Sequence, residues 1–212
     1  METAATCQNC ARRFTISARV VEQYPGWRPS LCPSCYAGTR RPGRESDLLG
    51  PNPHLLGLEE VLATYTAGPT DGVFTDGSSV PNPGPGGWGA VYVVEDHIVD
   101  QAHGHEPYTT NNRMELTAIR AGIGLVPTGT EVTVYTDSNL AYRTFTEWAP
   151  GWKTRGWRRK TGAIQNLDLV RTIYELLETR PEIEVRWLSA HSGYRWNEYA
   201  DALAGLWMSG PG

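Results

Sequence analysis

The stretch TDGSSVPNPGPGGWGAVYVV, residues 75–94, decides the fold, because two strand patterns flank a turn rich in glycine and proline. It predicts a β-hairpin whose first strand begins a few residues earlier, near residue 71. Asp76 interrupts the apolar pattern of that strand, at a position where valine would pack better. The hairpin therefore poses the question of what a carboxylate does there.

The remainder of the chain from about residue 70 alternates between helix and strand patterns. Strand patterns cover residues 97–106, 131–138 and 182–191. Amphipathic helix patterns cover residues 111–126, 139–148, 165–179 and 197–208, and asparagines at 111 and 112 are suited to cap the first of them. A three-stranded meander followed by alternating helices and strands predicts an α/β domain over residues 70–209, with a mixed sheet and helices on its faces.

The composition is that of a soluble, folded protein, with 40% hydrophobic and 20% charged residues in a chain of 212. The beginning of the chain lacks a signal-peptide pattern, and the sequence contains no apolar run of membrane-spanning length. We therefore expect a cytoplasmic protein without a membrane partner. The net charge of -4 does not suggest a nucleic-acid partner, but the stretch WKTRGWRRK at residues 152–160 carries five cations and no acid.

Four cysteines form two short pairs, CQNC with Cys7 and Cys10 and CPSC with Cys32 and Cys35. Each pair can direct two thiolates at one tetrahedral centre, which predicts a structural Zn²⁺ in a zinc ribbon over residues 1–40. Two disulfides or reduced core thiols are the alternatives, and the lack of a secretion signal disfavours the disulfides. Residues 41–69 read as a linker that contains a short helix, which we expect to pack against the domain that follows.

Four carboxylates stand out within the α/β domain, namely Asp76, Glu115, Asp137 and Asp201. Each also has a simpler explanation: Glu115 in the first turn of a helix favours the helix dipole, Asp137 begins a turn or caps a helix, and Asp201 is a solvated helix position. If the first and fourth strands are neighbours, however, the carboxylates cluster, and like charges in a dry site need cations. Oxygen ligands suit Mg²⁺, and two such ions can hold an attacking water and a leaving oxygen on either side of one phosphate.

Four motifs then agree in order and spacing with one family: TDGS at 75–78, TNNRMEL at 110–116, YTDS at 135–138 and AHSGYRWNEYADALA at 190–204. Residues 71–209 resemble a type 1 ribonuclease H. The resemblance implies a ribonuclease H-like five-stranded mixed sheet of strand order 3-2-1-4-5 with helices on both faces. It also implies an endonuclease that hydrolyses the RNA strand of RNA/DNA hybrids and leaves 5′-phosphate and 3′-hydroxyl ends.

The resemblance implies roles for the residues that match the motifs. Asp76, Glu115, Asp137 and Asp201 match the family's metal-binding carboxylates, which hold two Mg²⁺ ions, with Mn²⁺ as an alternative. His191 matches a histidine that assists proton transfer or product release. Asp76 would then occupy a central strand because rigid backbone there holds a metal ligand in place, at a cost in local packing.

Further matches concern the substrate. Positions that face the minor groove of a hybrid are matched by Asn82, Asn111, Asn112 and Asn139, and positions that contact phosphate by Thr110 and Asn166. The segment from residue 147 to 169 resembles the basic protrusion of some members and supplies Trp148, Trp152, Lys153, Trp157, Arg158, Arg159 and Lys160. A solvated basic loop is the simpler interpretation of this segment. The remaining histidines, His54, His97, His103 and His105, match nothing in the family and are interpreted as surface or structural residues.

Two other classes of function compete with hybrid cleavage. A related nuclease or integrase-like enzyme would act on DNA, although the intact TNNR and AHSG segments disfavour it. A hybrid-binding protein without catalysis would normally have lost a carboxylate, and all four are present. The zinc ribbon departs from the family pattern, so its role has to be inferred from its arginines and aromatics, which favour nucleic acid over a protein partner. We expect a monomer.

Overall fold

The computed structural model describes residues 3–7, 11–16 and 56–209. The chain divides into two compact units, residues 1–50 and residues 51–212. Among the described residues, no helix is both long and apolar enough to cross a bilayer.

The first unit contains an antiparallel hairpin of β1 (Thr3–Thr6) and β2 (Arg13–Ile16). Cys7 follows β1 and is buried, with 1% of its surface exposed. Its backbone N–H donates to the carbonyl of Arg12 at 3.0 Å, and its carbonyl accepts from the N–H of Ala11 at 2.9 Å. The other three predicted zinc ligands, Cys10, Cys32 and Cys35, lie outside the described residues. The zinc ribbon therefore stays a prediction.

The second unit is built on a five-stranded sheet. Its strands are β3 (Gly72–Ser79), β4 (Gly84–Val94), β5 (His97–Thr109), β6 (Val132–Thr136) and β7 (Ile183–Trp187). They are arranged in the order β5-β4-β3-β6-β7. The first three pair antiparallel, whereas β6 pairs parallel to both β3 and β7. The mixed α/β sheet predicted from the sequence is thus confirmed, and β5 is three residues longer than its pattern indicated.

The central strand β3 is buried on both faces, which explains its apolar residues Val73 and Phe74. Its parallel neighbour β6 aligns Thr136 with Thr75. The next residue on each strand is an aspartate, so Asp76 and Asp137 lie side by side at the same end of the sheet. The register of two adjacent strands therefore brings the first two carboxylates together.

Six α-helices are described in the second unit. They are α1 (Leu58–Thr64), α2 (Asn111–Leu125), α3 (Asn139–Arg143), α4 (Ala149–Thr154), α5 (Leu167–Thr179) and α6 (Arg195–Gly205). A π-helical turn, Thr144–Trp148, joins α3 to α4, and a 3₁₀ turn, Leu206–Ser209, follows α6. The helix predicted over residues 139–148 therefore continues to Thr154, which makes the beginning of the basic segment helical rather than a loop.

Two buried clusters pack the helices against opposite faces of the sheet. On one face, Ile119 of α2 and Ile173 of α5 pack with Val73 and Val134. On the other face, Leu203 of α6 and Val61 of α1 pack with Phe74 and Val91 of the sheet. The predicted layers are present, and α1 is a further member of the second layer.

One expectation about local structure was wrong. The N-cap of α2 is Thr110, whose Oγ1 accepts from the N–H of Arg113 at 3.3 Å, whereas Asn111 and Asn112 are already helical. Glu115 consequently lies just past the first turn. Within residues 41–69, read as a linker with a short helix, residues 51–69 belong to the same compact unit as the sheet. Helix α1 lies in this stretch and packs on the domain that follows, through the buried Val61.

Candidate active site

Four carboxylates meet in one cleft at the end of the sheet where Asp76 and Asp137 lie. The cleft has a volume of about 220 Å³ and is lined by Asp76, Gly77, Ser78, Glu115, Asp137, Ala190, His191, Asn197 and Asp201. All five residues that the sequence predicted to be catalytic are therefore brought together. They come from β3, α2, the end of β6, the turn before α6, and α6 itself.

Glycine at position 77 allows the third carboxylate to approach the first. A Cβ built on Gly77 would lie 2.3 Å from the backbone nitrogen of Glu115, far inside van der Waals contact. Helix α2 can therefore rest directly on the backbone of β3, which brings Glu115 next to the strand that carries Asp76. Any larger residue at position 77 would push α2 away and widen the carboxylate cluster.

Two of the simpler explanations, a solvated position for Asp201 and a helix cap for Asp137, are wrong. Asp201 is only 5% exposed, so it is not a solvated helix position. Asp137 does not cap a helix, because Ser138 is the N-cap of α3 and its side chain accepts from the N–H of Ala141. Glu115 lies past the first turn of α2, where the helix dipole is weaker. What these residues share is the cleft.

Burial and mutual repulsion disturb the ionisation of this cluster. Burial raises the pKa of Asp76 well above its usual value, and the charges of Asp137, Asp201 and Glu115 raise it further. Burial also raises the pKa of Glu115 to about 7, although a hydrogen bond with Ser138 opposes the shift. The pKa of Asp137 is raised by burial as well, against an opposing hydrogen bond from Asn197. Without a compensating cation, Asp76, Glu115 and Asp137 therefore hold their protons more strongly than exposed carboxyl groups do.

The oxygen atoms of the cleft suit a hard divalent cation. Within residues 3–7, 11–16 and 56–209, no group of three or more His, Cys, Asp or Glu side chains is placed so that it could hold a metal ion. Coordination would therefore require the carboxylates to move closer together. Oε2 of Glu115 is nevertheless buried and has no hydrogen-bond partner. A buried carboxylate oxygen without a donor is costly, and a cation would satisfy it. The donor set therefore fits Mg²⁺ or Mn²⁺.

His191 lies at the rim of the cleft, in the turn between β7 and α6. It is exposed and has a left-handed backbone conformation, with φ of +50°. Its charge opposes the rise in the pKa of Asp137, so the two side chains are close enough to interact. An imidazole at this position can exchange protons both with solvent and with the cleft.

Asn197 and Glu198 are two site residues that sequence reasoning did not single out. Asn197 is 2% exposed and lines the cleft, and its Nδ2 donates weakly to Oδ2 of Asp137 at 3.5 Å. Glu198, also 2% exposed, accepts from the N–H of Gly193 at 3.2 Å. A signal for Asn197 existed, because it precedes Asp201 by four residues and so shares its helix face.

Trp187, at the end of β7, is a third residue near the site that the sequence did not single out. Its indole N–H donates to the backbone carbonyl of Asp137 at 3.0 Å, while 44% of its surface is exposed. The bond fixes the backbone that carries Asp137 to the neighbouring strand. An exposed indole next to the cleft is also available to a ligand.

A second, larger cleft of about 570 Å³ begins beside the first, because Ser138, the neighbour of Asp137, lines it. Of the residues predicted to bind substrate, it is lined by Asn112, Trp148, Trp152, Arg159, Lys160 and Asn166. Arg155 lines it too and was not predicted. The cleft thus combines cations, indole rings and amides, which suits a nucleic-acid strand.

Three members of the predicted basic protrusion do not line this cleft. Lys153 forms an ion pair with Glu178. Trp157 packs edge-on against Tyr174, with 5.8 Å between the ring centres. Arg158 lies outside the lining residues, and its carbonyl accepts from Nε of Arg155 at 3.4 Å. Lys153 and Trp157 therefore help attach the segment to α5.

The remaining predicted contacts lie around the first hairpin and the start of α2. Oδ1 of Asn111 accepts from the N–H of Ser79 at 2.7 Å, and Oδ1 of Asn82 accepts from the N–H of Asn111 at 3.3 Å. These bonds use the side-chain carbonyls, so the amide NH₂ groups can act as donors toward a ligand. The Thr110 hydroxyl is engaged as the cap of α2, and Asn139 is exposed at the start of α3.

Comparisons with known proteins agree on one family. The model of the RNase H family matches residues 70–208. A ribonuclease H from Herminiimonas arsenicoxydans is 43% identical over 133 residues, covering 62% of this chain and 90% of that protein. A ribonuclease H from Methylorubrum extorquens is 42% identical over 134 residues, covering 63% of this chain and 58% of that protein. The crystal structure of LC9-RNase H1, described as a type 1 RNase H with the type 2 active-site motif, is 32% identical with a TM-score of 0.55, covering 68% of this chain and 75% of that one.

Proposed function

Because this chain belongs to the ribonuclease H family and is a ribonuclease H, we propose that it hydrolyses the RNA strand of RNA/DNA hybrids as an endonuclease. The observation that carries the proposal is the cleft lined by Asp76, Glu115, Asp137 and Asp201. Four carboxylates repel a phosphate, so a protein that only bound nucleic acid would gain nothing from them. Hydrolysis that uses divalent cations, in contrast, needs carboxylates as ligands of those cations.

We assign the four carboxylates as ligands of two Mg²⁺ ions, with Mn²⁺ as an alternative. The raised pKa of Glu115 and the unpartnered Oε2 of that residue support the assignment, because a cation would compensate both. When bound, the ions would supply activation of water and stabilisation of the negative charge that develops at the scissile phosphate.

The residues of the chain would orient the reactants and handle protons. In the reaction, the oxygen of water bonds to phosphorus, the bond from phosphorus to the 3′ oxygen breaks, and a proton passes to that oxygen. The products are then 5′-phosphate and 3′-hydroxyl ends. His191, exposed at the rim of the cleft, is the group that we assign to this proton or to product release. Asn197 would hold the carboxylate of Asp137 in one orientation through its Nδ2.

The second cleft supports a hybrid as the substrate. Its indoles and cations would hold one strand by stacking and by charge, without reading base sequence. The amides of Asn82, Asn111 and Asn112 would contact the minor groove, where 2′-hydroxyls distinguish RNA from DNA. Asn139 would join these minor-groove contacts, and Thr110 would contact phosphate.

The N-terminal unit would provide a second contact with nucleic acid. Cys7, buried after β1 in a tight turn, supports a structural Zn²⁺ held together with Cys10, Cys32 and Cys35. Arginines in this unit would attract phosphate, whereas a protein partner is the alternative. We further propose that the enzyme acts as a cytoplasmic monomer.

The experiment that tests the function compares matched substrates. End-labelled RNA/DNA hybrid, DNA duplex and RNA duplex of one sequence are incubated with the full chain and Mg²⁺. We expect cleavage of the RNA strand of the hybrid alone, loss of cleavage with chelator, and products that a 5′-phosphate-dependent exonuclease can degrade. Cleavage of the DNA duplex at a similar rate would favour the DNA nuclease instead. Binding of the hybrid without cleavage in Mg²⁺ or Mn²⁺ would favour the non-catalytic alternative.

A further inference from the structure

The leading segment, residues 56–70, lies almost entirely before the part of the chain that matches the family model. It nevertheless packs on α6, the helix that carries Asp201. Val61 of α1 is fully buried in a cluster with Trp196, Tyr199 and Leu203 of that helix. A segment that buries a side chain against an active-site helix helps to fix the position of that helix.

Arg195, the first residue of α6, ties the helix to this segment by its backbone and its side chain. Its N–H donates to the carbonyl of Ala67 at 2.8 Å, and its Nε donates to the carbonyl of Tyr65 at 2.7 Å. Its guanidinium also forms an ion pair with Asp96. The N–H of Asp96 in turn donates to the carbonyl of Thr70 at 2.8 Å. The start of α6 is thus held at several points by backbone from one short stretch.

The same segment reaches the turn that carries His191. Gly193 of that turn faces the ring of Tyr65, since a Cβ built on Gly193 would lie 3.8 Å from Cδ1 of the ring. Gly68 lies against Tyr194, and a Cβ built there would come within 2.8 Å of the Cβ of Tyr194. Gly68 also has a φ of +108°, which side chains rarely adopt. Close backbone approach therefore attaches the segment to the turn.

The start of α6 and the His191 turn, which the leading segment contacts, both face the carboxylate cleft. Asn197, two residues after Arg195, donates to Asp137, and Glu198 accepts from the N–H of Gly193. His191 precedes that glycine by two residues. A shift at the start of α6 would therefore move Asn197 and the His191 turn together, relative to carboxylates fixed on the sheet.

We propose that the leading segment is a positioning element of the active site, and that Tyr65 of this segment and its partner Arg195 of α6 are the positioning residues. It sets the start of α6 and the His191 turn in the geometry that hydrolysis requires, and it does so from outside the family domain. The inference rests on the proposed function. It concerns the rate of the chemical step rather than binding, because the segment contributes no residue to the cleft that is proposed to hold the hybrid.

The test compares Tyr65→Ala and Arg195→Gln with the matched control Glu59→Ala, an exposed position on α1. Each is assayed on labelled hybrid well below its own unfolding midpoint. We expect kcat to fall at least about tenfold in Tyr65→Ala and Arg195→Gln while KM stays within about twofold, since small misplacements of reacting groups are costly. Tyr65→Phe keeps the ring and should restore kcat. An unchanged kcat in both variants would overturn the proposal, as would equal loss in the control.

Amide hydrogen exchange separates this inference from the proposed function, because it needs no activity. In Tyr65→Ala and Arg195→Gln, we expect exchange at residues 191–197 to accelerate at least about tenfold, while amides of β3 keep their protection. Uniform acceleration throughout the domain, or no change at residues 191–197, would contradict a positioning role. If the unmodified chain did not cut hybrids, the proposed function would fail and the exchange result would still decide the structural part.

Discussion

Asp76 shows at the scale of one residue why the site departs from ordinary packing. Its carboxylate is 9% exposed on the central strand and lies among three other carboxylates. Burial and repulsion both favour its protonated form, which costs stability once pH forces ionisation. A ligand that compensates this cost explains why such a residue is present, and burial raises the pKa of Glu115 and Asp137 in the same way.

Stability of the metal-free protein should therefore decline with rising pH. The pKa of Glu115 is about 7 in the folded chain against 4.5 when exposed, so between these values the folded state binds more protons than the unfolded state. The free energy of unfolding falls as pH rises through this window, by at most about 3 kcal/mol for this residue. Denaturant unfolding at pH 5 and pH 7.5, with chelator present, measures the decline.

Two comparisons make this prediction specific. Glu115→Gln cannot ionise and should lose part of the decline, and Mg²⁺ should restore stability to the unmodified chain at pH 7.5. If Glu115→Gln declined as steeply as the unmodified chain, the raised pKa would not belong to Glu115.

Asn197 permits a second prediction. Asn197→Ala removes the donor to Asp137, so we expect kcat to fall roughly tenfold with little change in KM. Gln101→Ala serves as the control, because Gln101 also contacts α6, through the hydroxyl of Tyr199 at 2.9 Å, but lies away from the cleft. Steady-state cleavage of labelled hybrid gives both constants. If kcat of Gln101→Ala fell as far as kcat of Asn197→Ala, any change next to α6 would slow cleavage. That result would contradict a specific role for Asn197.

Sequence reasoning found the carboxylates but missed their supporting residues for a physical reason. A charged residue in an apolar pattern is conspicuous, as Asp76 and Asp201 are. A buried asparagine such as Asn197, or a tryptophan at the end of a strand such as Trp187, resembles ordinary polar or core positions. Their importance depends on a hydrogen-bond partner that only the folded chain brings close.

Among the helices, strands and loops, the basic segment is the one whose role the sequence indicated without showing which of its side chains face the cleft. Its charge pattern predicted a nucleic-acid contact, but every cation within it looked equivalent. Lys153 lies in α4 and pairs with Glu178. Arg159 and Lys160 lie beyond the end of α4, before α5, and line the large cleft. The path of the backbone decides which cation faces the cleft, and charge alone does not reveal that path.

This difference yields a prediction with a matched control. Arg159→Gln combined with Lys160→Gln should raise KM several-fold and reduce the slope of log affinity against log salt by about one to two. Lys153→Gln combined with Arg158→Gln removes the same charge outside the cleft and should change both quantities much less. Cleavage kinetics across a salt series provide the data. Equal effects of the two double variants would mean that the segment acts only through its net charge.

At the scale of the whole molecule, the sequence predicts an N-terminal ribbon, a linker with a short helix and an α/β domain, and the chain divides into two compact units. The two cysteine pairs, which predict a zinc ribbon, distinguish the N-terminal segment from the α/β domain in the sequence. The family pattern begins near residue 70, yet the second unit extends back to residue 51 and includes α1. Motifs mark where the chemistry lies, and the short apolar pattern of α1 indicated a helix that packs on the domain without showing which helix it contacts. A chain cut at residue 70 would lose Val61 from a buried cluster.

Zinc content is the prediction that belongs to this scale. The purified full chain should contain about one equivalent of zinc, and Cys7→Ser should lower that amount while the unfolding of the catalytic unit is unchanged. Elemental analysis and thermal unfolding monitored in the catalytic unit measure the two effects. Absence of zinc from the protein purified without chelator would contradict the zinc ribbon.

The proposed function requires the carboxylates of one cleft for hydrolysis of a bound hybrid, and Asp137→Asn tests this requirement most directly. This change keeps the shape of the side chain and removes its charge, with Asp100→Asn on the exposed part of β5 as the control. Cleavage and binding of one labelled hybrid are measured in Mg²⁺. The account predicts that Asp137→Asn cuts at least about 10³-fold more slowly while its Kd for the hybrid rises no more than about twofold, and that Asp100→Asn behaves like the unmodified chain. An Asp137→Asn variant that cuts the hybrid at a rate close to that of the unmodified chain would contradict it.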